Sequence, residues 1–344
     1  MHNRPRIVHL IDDTTAGGVM RVLEHIKTSP DMAEIADHQF VQVQRGRVSG
    51  RHYDCDVIVS HLAVSWRSLP MFLALKLANS GAKLAHVEHS YTAGFVAHNV
   101  PNKTRFHALL KTTFAIFDAV VAVSDGQAEW IRREKLCDAA KLSVIRSCVD
   151  LSAFQNAQPV SNRPRVFGAI GRLDRQKGFD TLIKAFRAIS DPSVQLRIFG
   201  EGEEYEYLAS LAADDPRIHF DGFATNPVQA YEAVDVVIIP SRWEAYGLVA
   251  IEALVAGRTA LCASVDGLRD HMEYGGQPLD TASVSALTKA MEDVLATDVT
   301  KPQSANSDLE HQLQNSFVTG WARFLDTVTG VQGIEPRTGL SVKT

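Results

Sequence analysis

Glu244 and Glu252 stand in the segment Pro240-Ser241-Arg242-Trp243-Glu244-Ala245-Tyr246-Gly247-Leu248-Val249-Ala250-Ile251-Glu252-Ala253. It follows the apolar run Val236–Ile239 and passes into an apolar stretch that Gly257 closes. That pattern reads as a buried strand, a turn and a helix. The N-terminus of such a helix, near Leu248 and Val249, offers backbone N–H groups and the positive end of the helix dipole to an anion. A carboxylate beside a bound phosphate can hold sugar or ribose hydroxyls. If the whole span between the two glutamates is helical, Glu252 lies up to about 12 Å beyond Glu244, roughly two turns along. The two carboxylates would then meet different parts of one ligand.

Other residues add to this chemistry. Arg172 and Lys177 follow the strand-like run Val166–Ile170, ahead of a helical pattern. Two cations there could clamp a diphosphate and neutralise charge on a leaving group. Gly17 and Gly18 stand where the first strand gives way to a helix, and such a pair permits close backbone approach to a phosphate. Gly200 closes another strand in Phe199-Gly200-Glu201-Gly202 and leaves room for a flat ligand. His89 follows the run Lys83–Val87. Each has a plainer reading: a solvated basic loop, turn glycines, a structural histidine.

The elements that must position these residues alternate along the chain. Runs at Arg6–Leu10, Phe40–Val43, Val57–Ser60, Lys83–Val87 and Ala119–Val123 read as strands. A second series comprises Val166–Ile170, Leu196–Phe199, Ile218–Phe220, Val236–Ile239 and Thr259–Cys262. Helical patterns such as Met71–Asn79 and Lys103–Ile116 fall between them. Alternation of this kind predicts an α/β chain with two Rossmann-like, doubly wound parallel sheets. The polar, Pro-bearing stretch Asn156–Pro164 reads as a linker. It divides an N-terminal domain over 1–155 from a C-terminal domain over 156–307, with a last helix over 308–330 able to pack back on the first. At 344 residues, two domains are the natural expectation.

Composition narrows the class. The net charge is −5, with a slight basic excess in the first 150 residues and an acidic excess in the remainder. The basic side admits contact of the N-terminal domain with an anionic surface. No basic stripe with interleaved aromatics suggests nucleic acid. No apolar run is long enough to span a membrane. Four scattered cysteines fit thiols in a reducing cytosol, and no histidine pair has metal-ligand spacing. Neither a G-x-G-x-x-G fingerprint nor a Walker sequence occurs.

The double-glutamate segment resembles the E-x7-E motif of retaining glycosyltransferase family 4. The resemblance runs from Gly17 to about His271. It passes in the family's order through Gly17-Gly18-Val19, His89, Gly171-Arg172-Leu173 with Lys177-Gly178-Phe179, Phe199-Gly200-Glu201-Gly202, and Glu244 through Glu252. Departures include Cys148, Ala245, Tyr246 and Arg269-Asp270-His271 at places where the family commonly has other residues. The resemblance implies the GT-B arrangement, two Rossmann-like domains facing across a cleft, with a nucleotide-diphosphate sugar held mainly by the C-terminal domain. Arg172 and Lys177 resemble the cations on the diphosphate, and Gly17 and Gly18 the glycines that approach it. Glu252 resembles the ribose-binding glutamate, Glu244 the carboxylate on the donor sugar, and His89 the histidine near the sugar at the acceptor side.

The function expected is a retaining, metal-independent and cofactor-free hexosyl transfer from a nucleotide sugar to a glycan or glycolipid acceptor. The expected setting is bacterial polysaccharide or glycolipid assembly, in the cytoplasm or at the inner face of the membrane. A sugar-nucleotide epimerase or phosphorylase of the same fold is the alternative enzyme. A non-catalytic sugar-nucleotide-binding protein is the alternative from another class.

Overall fold

A computed structural model of the chain describes residues 4–15, 17–44, 50–158, 165–296 and 306–330. Contacts divide the chain into two units. The first comprises Met1–Thr92, Asn99–Asp150 and the segment from Leu313 onward; the second comprises Ala93–His98 and Leu151–Gln312.

The first unit holds a six-stranded sheet. Its strands are β1 (Arg6–Ile11), β2 (Asp37–Gln42), β3 (Val57–Ser60), β4 (Lys83–Glu88), β5 (Ala119–Ala122) and β6 (Leu142–Val144), in the order β2-β1-β3-β4-β5-β6. Every pairing is parallel. β3 and β5 are buried at every position. Helices on both faces of a parallel sheet require this, and it explains why these strands read as unbroken apolar runs. The terminal helix, Ser307–Thr329, brings Phe317 and Trp321 against this unit: Phe317 packs on His25, and Trp321 meets His9 edge-on.

The second unit holds another six-stranded parallel sheet. Its strands are β7 (Val166–Ile170), β8 (Gln195–Phe199), β9 (Ile218–Gly222), β10 (Val236–Ile239), β11 (Thr259–Ala263) and β12 (Gln277–Leu279), in the order β12-β11-β10-β7-β8-β9. Phe167, Leu182, Phe186, Leu196 and Ile238 belong to its core. The α/β class with two doubly wound sheets is thus the observed one.

The short edge strands β6 and β12 are additions to the expected set, and β2 begins at Asp37 rather than Phe40. Residues 159–164 of the expected linker lie outside the described residues.

Strand order reverses between β1 and β3 in the first sheet and between β7 and β10 in the second. Such switch points leave a crevice beyond the carboxyl ends of the strands, where ligands of doubly wound sheets bind. The loops leaving β7 and β10 carry Arg172, Lys177 and Glu244.

Candidate active site

The loop after β7 and the loop after β10 are joined by an ion pair. Lys177 Nζ lies 2.6 Å from Glu244 Oε2, and both side chains are largely enclosed. Ser241 Oγ donates to the same carboxylate oxygen at 3.2 Å, and Gln176 Nε2 reaches the other at 3.5 Å. Lys177 ends the short helical turn Arg175–Lys177, so its side chain can return toward the switch point. The two expected diphosphate cations are placed differently. Arg172 keeps 70% of its side chain exposed and has Asp174 at 3.4 Å as an ion partner.

A third cation holds the turn. Arg242 Nη2 lies 2.8 Å from both Asp180 oxygens, while Nη1 donates to the Arg175 carbonyl at 2.6 Å. Burial would raise the Asp180 carboxyl, but its hydrogen bond and charge pairing with Arg242 hold it below the ordinary carboxylate value. The Glu244 backbone N–H donates to Asp266 Oδ2 at 3.3 Å, and the Gly94 N–H donates to Asp266 Oδ1 at 3.0 Å. Asp266 has a positive φ of 40°, a strained setting for a non-glycine residue. Trp243 packs against Phe95 and His98, both in the short segment that joins this unit from the first half of the sequence. Sequence reading missed Gln176, Asp180, Arg242 and Asp266 as supports. Arg242 lay within the double-glutamate segment, and Gln176 and Asp180 within the basic stretch that carries Arg172 and Lys177, but nothing local marks any of the four as a support.

The helix after the turn runs Leu248–Val255, behind Gly247 at φ 95°, and no side chain caps it. A side chain at Gly247 would meet Leu268 Cδ2 at 2.5 Å, so the turn requires glycine. Leu248 and Val249 form the first turn, half-buried, where N–H groups are unsatisfied by intrahelical bonds. Helical geometry begins only at Leu248, so Glu252 lies about one turn into the helix rather than two turns beyond Glu244. Glu252 is 2% exposed and accepts a short hydrogen bond from the Tyr231 hydroxyl.

Gly200 sits at φ 140° beyond β8. A Cβ there would lie 1.9 Å from the Gly171 carbonyl oxygen. The glycine therefore lets the loops after β7 and β8 touch, which fixes the path of Gly171-Arg172.

In the first unit, Gly17 and Gly18 open the helix Gly18–Thr28, exposed and without a side-chain cap. Gly17 is extended at φ 177°, a setting open to any residue. His89 follows β4 and joins His61, Val22, Ser147 and Trp321 around a small cavity. Burial pushes its imidazole down to about 4, with Glu88 opposing. Among the described residues no group of three or more His, Cys, Asp or Glu is placed to hold a metal ion.

Two family models match the chain side by side. Residues 29–153 match Glycosyltransferase Family 4, and residues 164–297 match Glycosyl transferases group 1. An uncharacterized glycosyltransferase of Methanocaldococcus jannaschii is 32% identical over 127 residues, 35% of this chain and 33% of that protein. A glycogen synthase of Mycobacterium tuberculosis is 24% identical over 274 residues, 74% of this chain and 63% of that protein. In both cases the chain spans less than two thirds of the relative. The solved structure of HepE from Anabaena, in complex with UDP and glucose, has a TM-score of 0.72 at 17% identity. That likeness covers 95% of this chain and 100% of that one, and it establishes the fold.

Proposed function

We propose that this chain, which carries a glycosyltransferase domain match in each half, is a retaining glycosyltransferase that moves a hexosyl group from a nucleotide-diphosphate sugar to an acceptor hydroxyl. The carrying observation is the Lys177–Glu244 pair at the β7/β10 switch point, beside the uncapped helix start at Gly247–Leu248. A cation, a carboxylate and open N–H groups are together what a sugar diphosphate needs. HepE was solved with UDP and glucose, and uridine diphosphate is accordingly the first donor nucleotide to test.

Lys177 and the N–H groups of Leu248 and Val249 meet the diphosphate. Arg172, exposed in the loop ahead of them, closes over it once ligand is bound. Glu244 accepts from donor-sugar hydroxyls, Glu252 from the nucleotide ribose, and Gly200 sets the loop path. His89, Gly17 and Gly18 serve in the first unit as the resemblance implies, His89 toward the acceptor side. The departing diphosphate takes the acceptor proton on the face it leaves, which retains configuration. Fixed positive charge stabilises that departure, so neither a metal nor a cofactor is needed.

The acceptor is a glycan or glycolipid, in bacterial polysaccharide or glycolipid assembly on the cytoplasmic side. No helix among the described residues is long and apolar enough to cross a membrane. Exposed Trp66, Leu73 and Leu77, with exposed Arg67 next to Trp66 in the sequence, support peripheral contact of the first unit with an anionic membrane.

The deciding experiment follows nucleoside diphosphate release from a panel of nucleotide sugars, with and without acceptor glycans and with excess EDTA. Acceptor-dependent release that survives chelation is expected. Interconversion of the sugar nucleotide without release would indicate an epimerase, and donor binding without turnover on any acceptor a binding protein. Loss of activity on chelation, restored by Mn²⁺, would overturn the metal-free mechanism.

A further inference from the structure

Four histidines stand on neighbouring strands of the first sheet. His38 lies in β2 and His9 in β1; His61 directly follows β3 and His89 directly follows β4. Those strands are adjacent in the order β2-β1-β3-β4, so the rings succeed one another across the sheet. They touch nitrogen to nitrogen. His38 Nδ1 lies 3.0 Å from His9 Nε2, His9 Nδ1 lies 2.9 Å from His61 Nε2, and His61 Nδ1 lies 2.8 Å from His89 Nε2. Ring centroids are 5.1–5.2 Å apart at each step with interplanar angles of 22–30°. This is the geometry of rings meeting head-on, near the plane in which both N–H bonds and lone pairs lie. Phe40 stacks on His9 at 4.7 Å and Trp321 meets it edge-on, which holds the middle of the file. The nitrogens bond to one another in sequence and do not converge on a cation position.

The rings are neutral at neutral pH. Burial lowers His9 and His61 well below the ordinary value and brings His38 and His89 to about 4. A neutral imidazole has one N–H and one lone pair. Each link consumes one N–H from one ring and one lone pair from the next. All four rings must therefore carry the same tautomer, either Nδ1–H throughout or Nε2–H throughout. One mixed pair would set two lone pairs or two N–H groups against each other in a part-buried file whose middle ring, His9, is fully buried, where an unmade bond is costly.

We infer that His38, His9 and His61 are positioning residues that fix which tautomer His89 adopts, and so whether its remaining nitrogen, Nδ1, meets a ligand as donor or as acceptor. His38, only partly buried at the outer end of the file, thus acts on His89 through three hydrogen bonds. The relay is independent of the chemistry at the second unit; only the use made of His89 rests on the transferase reading above.

The test is long-range proton–nitrogen spectroscopy on the full chain labelled with ¹⁵N-histidine, near neutral pH. All four rings are expected to show one common neutral tautomer. In His38→Leu, the two well-separated nitrogen signals of His89 should move toward each other as it becomes a mixture. In His38→Asn, whose carboxamide can still pair with His9 Nε2 through its oxygen or its N–H₂, the two signals should separate again. kcat/KM for transfer should fall about tenfold in His38→Leu and recover in His38→Asn, as expected for the loss of one ordered hydrogen bond. Opposite tautomers in any two neighbouring rings of the wild type would overturn the inference without recourse to a variant. Unchanged His89 signals in folded His38→Leu would also overturn it. Absence of any transferase activity with uniform tautomers would refute the transferase reading and leave the relay standing.

Discussion

Lys177 Nζ and Glu244 Oε2 lie 2.6 Å apart, although their loops leave strands β7 and β10, with β8 and β9 between them in the sequence. The lysine proposed for the diphosphate is thus already satisfied by a carboxylate. On the proposed reading, an arriving diphosphate would compete with Glu244 for it, and the carboxylate freed in that exchange would become available to sugar hydroxyls. One pair would then couple recognition of the two ends of the donor.

This relationship sets opposite expectations for the two partners. Lys177→Ala should weaken nucleoside diphosphate binding and lower kcat by roughly 10²–10³. Glu244→Gln should lower kcat strongly while leaving nucleoside diphosphate affinity equal or tighter, because Lys177 is released to the phosphate. Calorimetry with UDP beside steady-state kinetics separates the two. Weaker UDP binding in Glu244→Gln would show that the pair is not in competition with ligand.

Glu252 is buried and bonded to Tyr231, so its variants report on both stability and binding. Tyr231→Phe removes a donor from a buried carboxylate and should cost about 1–3 kcal/mol in unfolding free energy. Glu252→Gln, which preserves shape, should mainly weaken binding of the nucleotide portion. Retention of full UDP affinity by a folded Glu252→Gln protein would remove this residue from the donor site.

Gly200 offers a backbone test. Alanine there meets the Gly171 carbonyl and an unfavourable φ of 140°. Gly200→Ala should destabilise the protein by about 1–3 kcal/mol and reduce UDP affinity by moving the loop that carries Arg172. A control at Gly222, where a Cβ meets nothing within 4 Å but φ is 70°, isolates backbone strain from collision. Equal losses in both variants would show that collision contributes nothing.

The histidine file makes stability depend on pH. Burial brings His38 and His89 to about 4 in the folded chain against 6.5 ordinarily, and lowers His9 and His61 well below that ordinary value too. Between pH 6.5 and about 4 the unfolded chain binds protons that the native chain does not, so stability falls as pH falls through that window. Below it the contribution of His38 and His89 no longer changes. The urea midpoint should therefore drop between about pH 7 and about pH 5, and drop less in His38→Asn. A flat midpoint across that range would show that the rings are not held neutral by burial.

Strands buried on both faces declared themselves in the sequence: Val57–Ser60, Ala119–Val123 and Val236–Ile239 lack polar interruptions because helices cover both sides of the sheet. The edge strands did not. β2 opens with the polar Asp37-His38-Gln39, whose place in the sheet shows only in its pairing with Arg6-Ile7-Val8 of β1. The segment around Glu244 and Glu252 was legible as strand, turn and helix, but its helix begins late because Gly247 holds the turn in a left-handed conformation. The supports of the turn were not legible. Asp180 and Asp266 reach Arg242 and Glu244 from distant parts of the sequence, and no local pattern encodes such meetings. His89 read as a lone histidine for the same reason, since its three companions come from other strands.

The terminal helix carries a consequence for synthesis. From Leu313 onward it belongs to the unit that Arg6–Ile11 begins, and Phe317, Trp321 and Leu325 are nearly inaccessible there. On the ribosome, then, the first-made unit is the last to be completed, whereas the second has all its residues once Gln312 has emerged. A nascent chain stalled at that point would carry a finished C-terminal unit beside an N-terminal sheet with an uncovered apolar face, the state in which this protein would most need a chaperone.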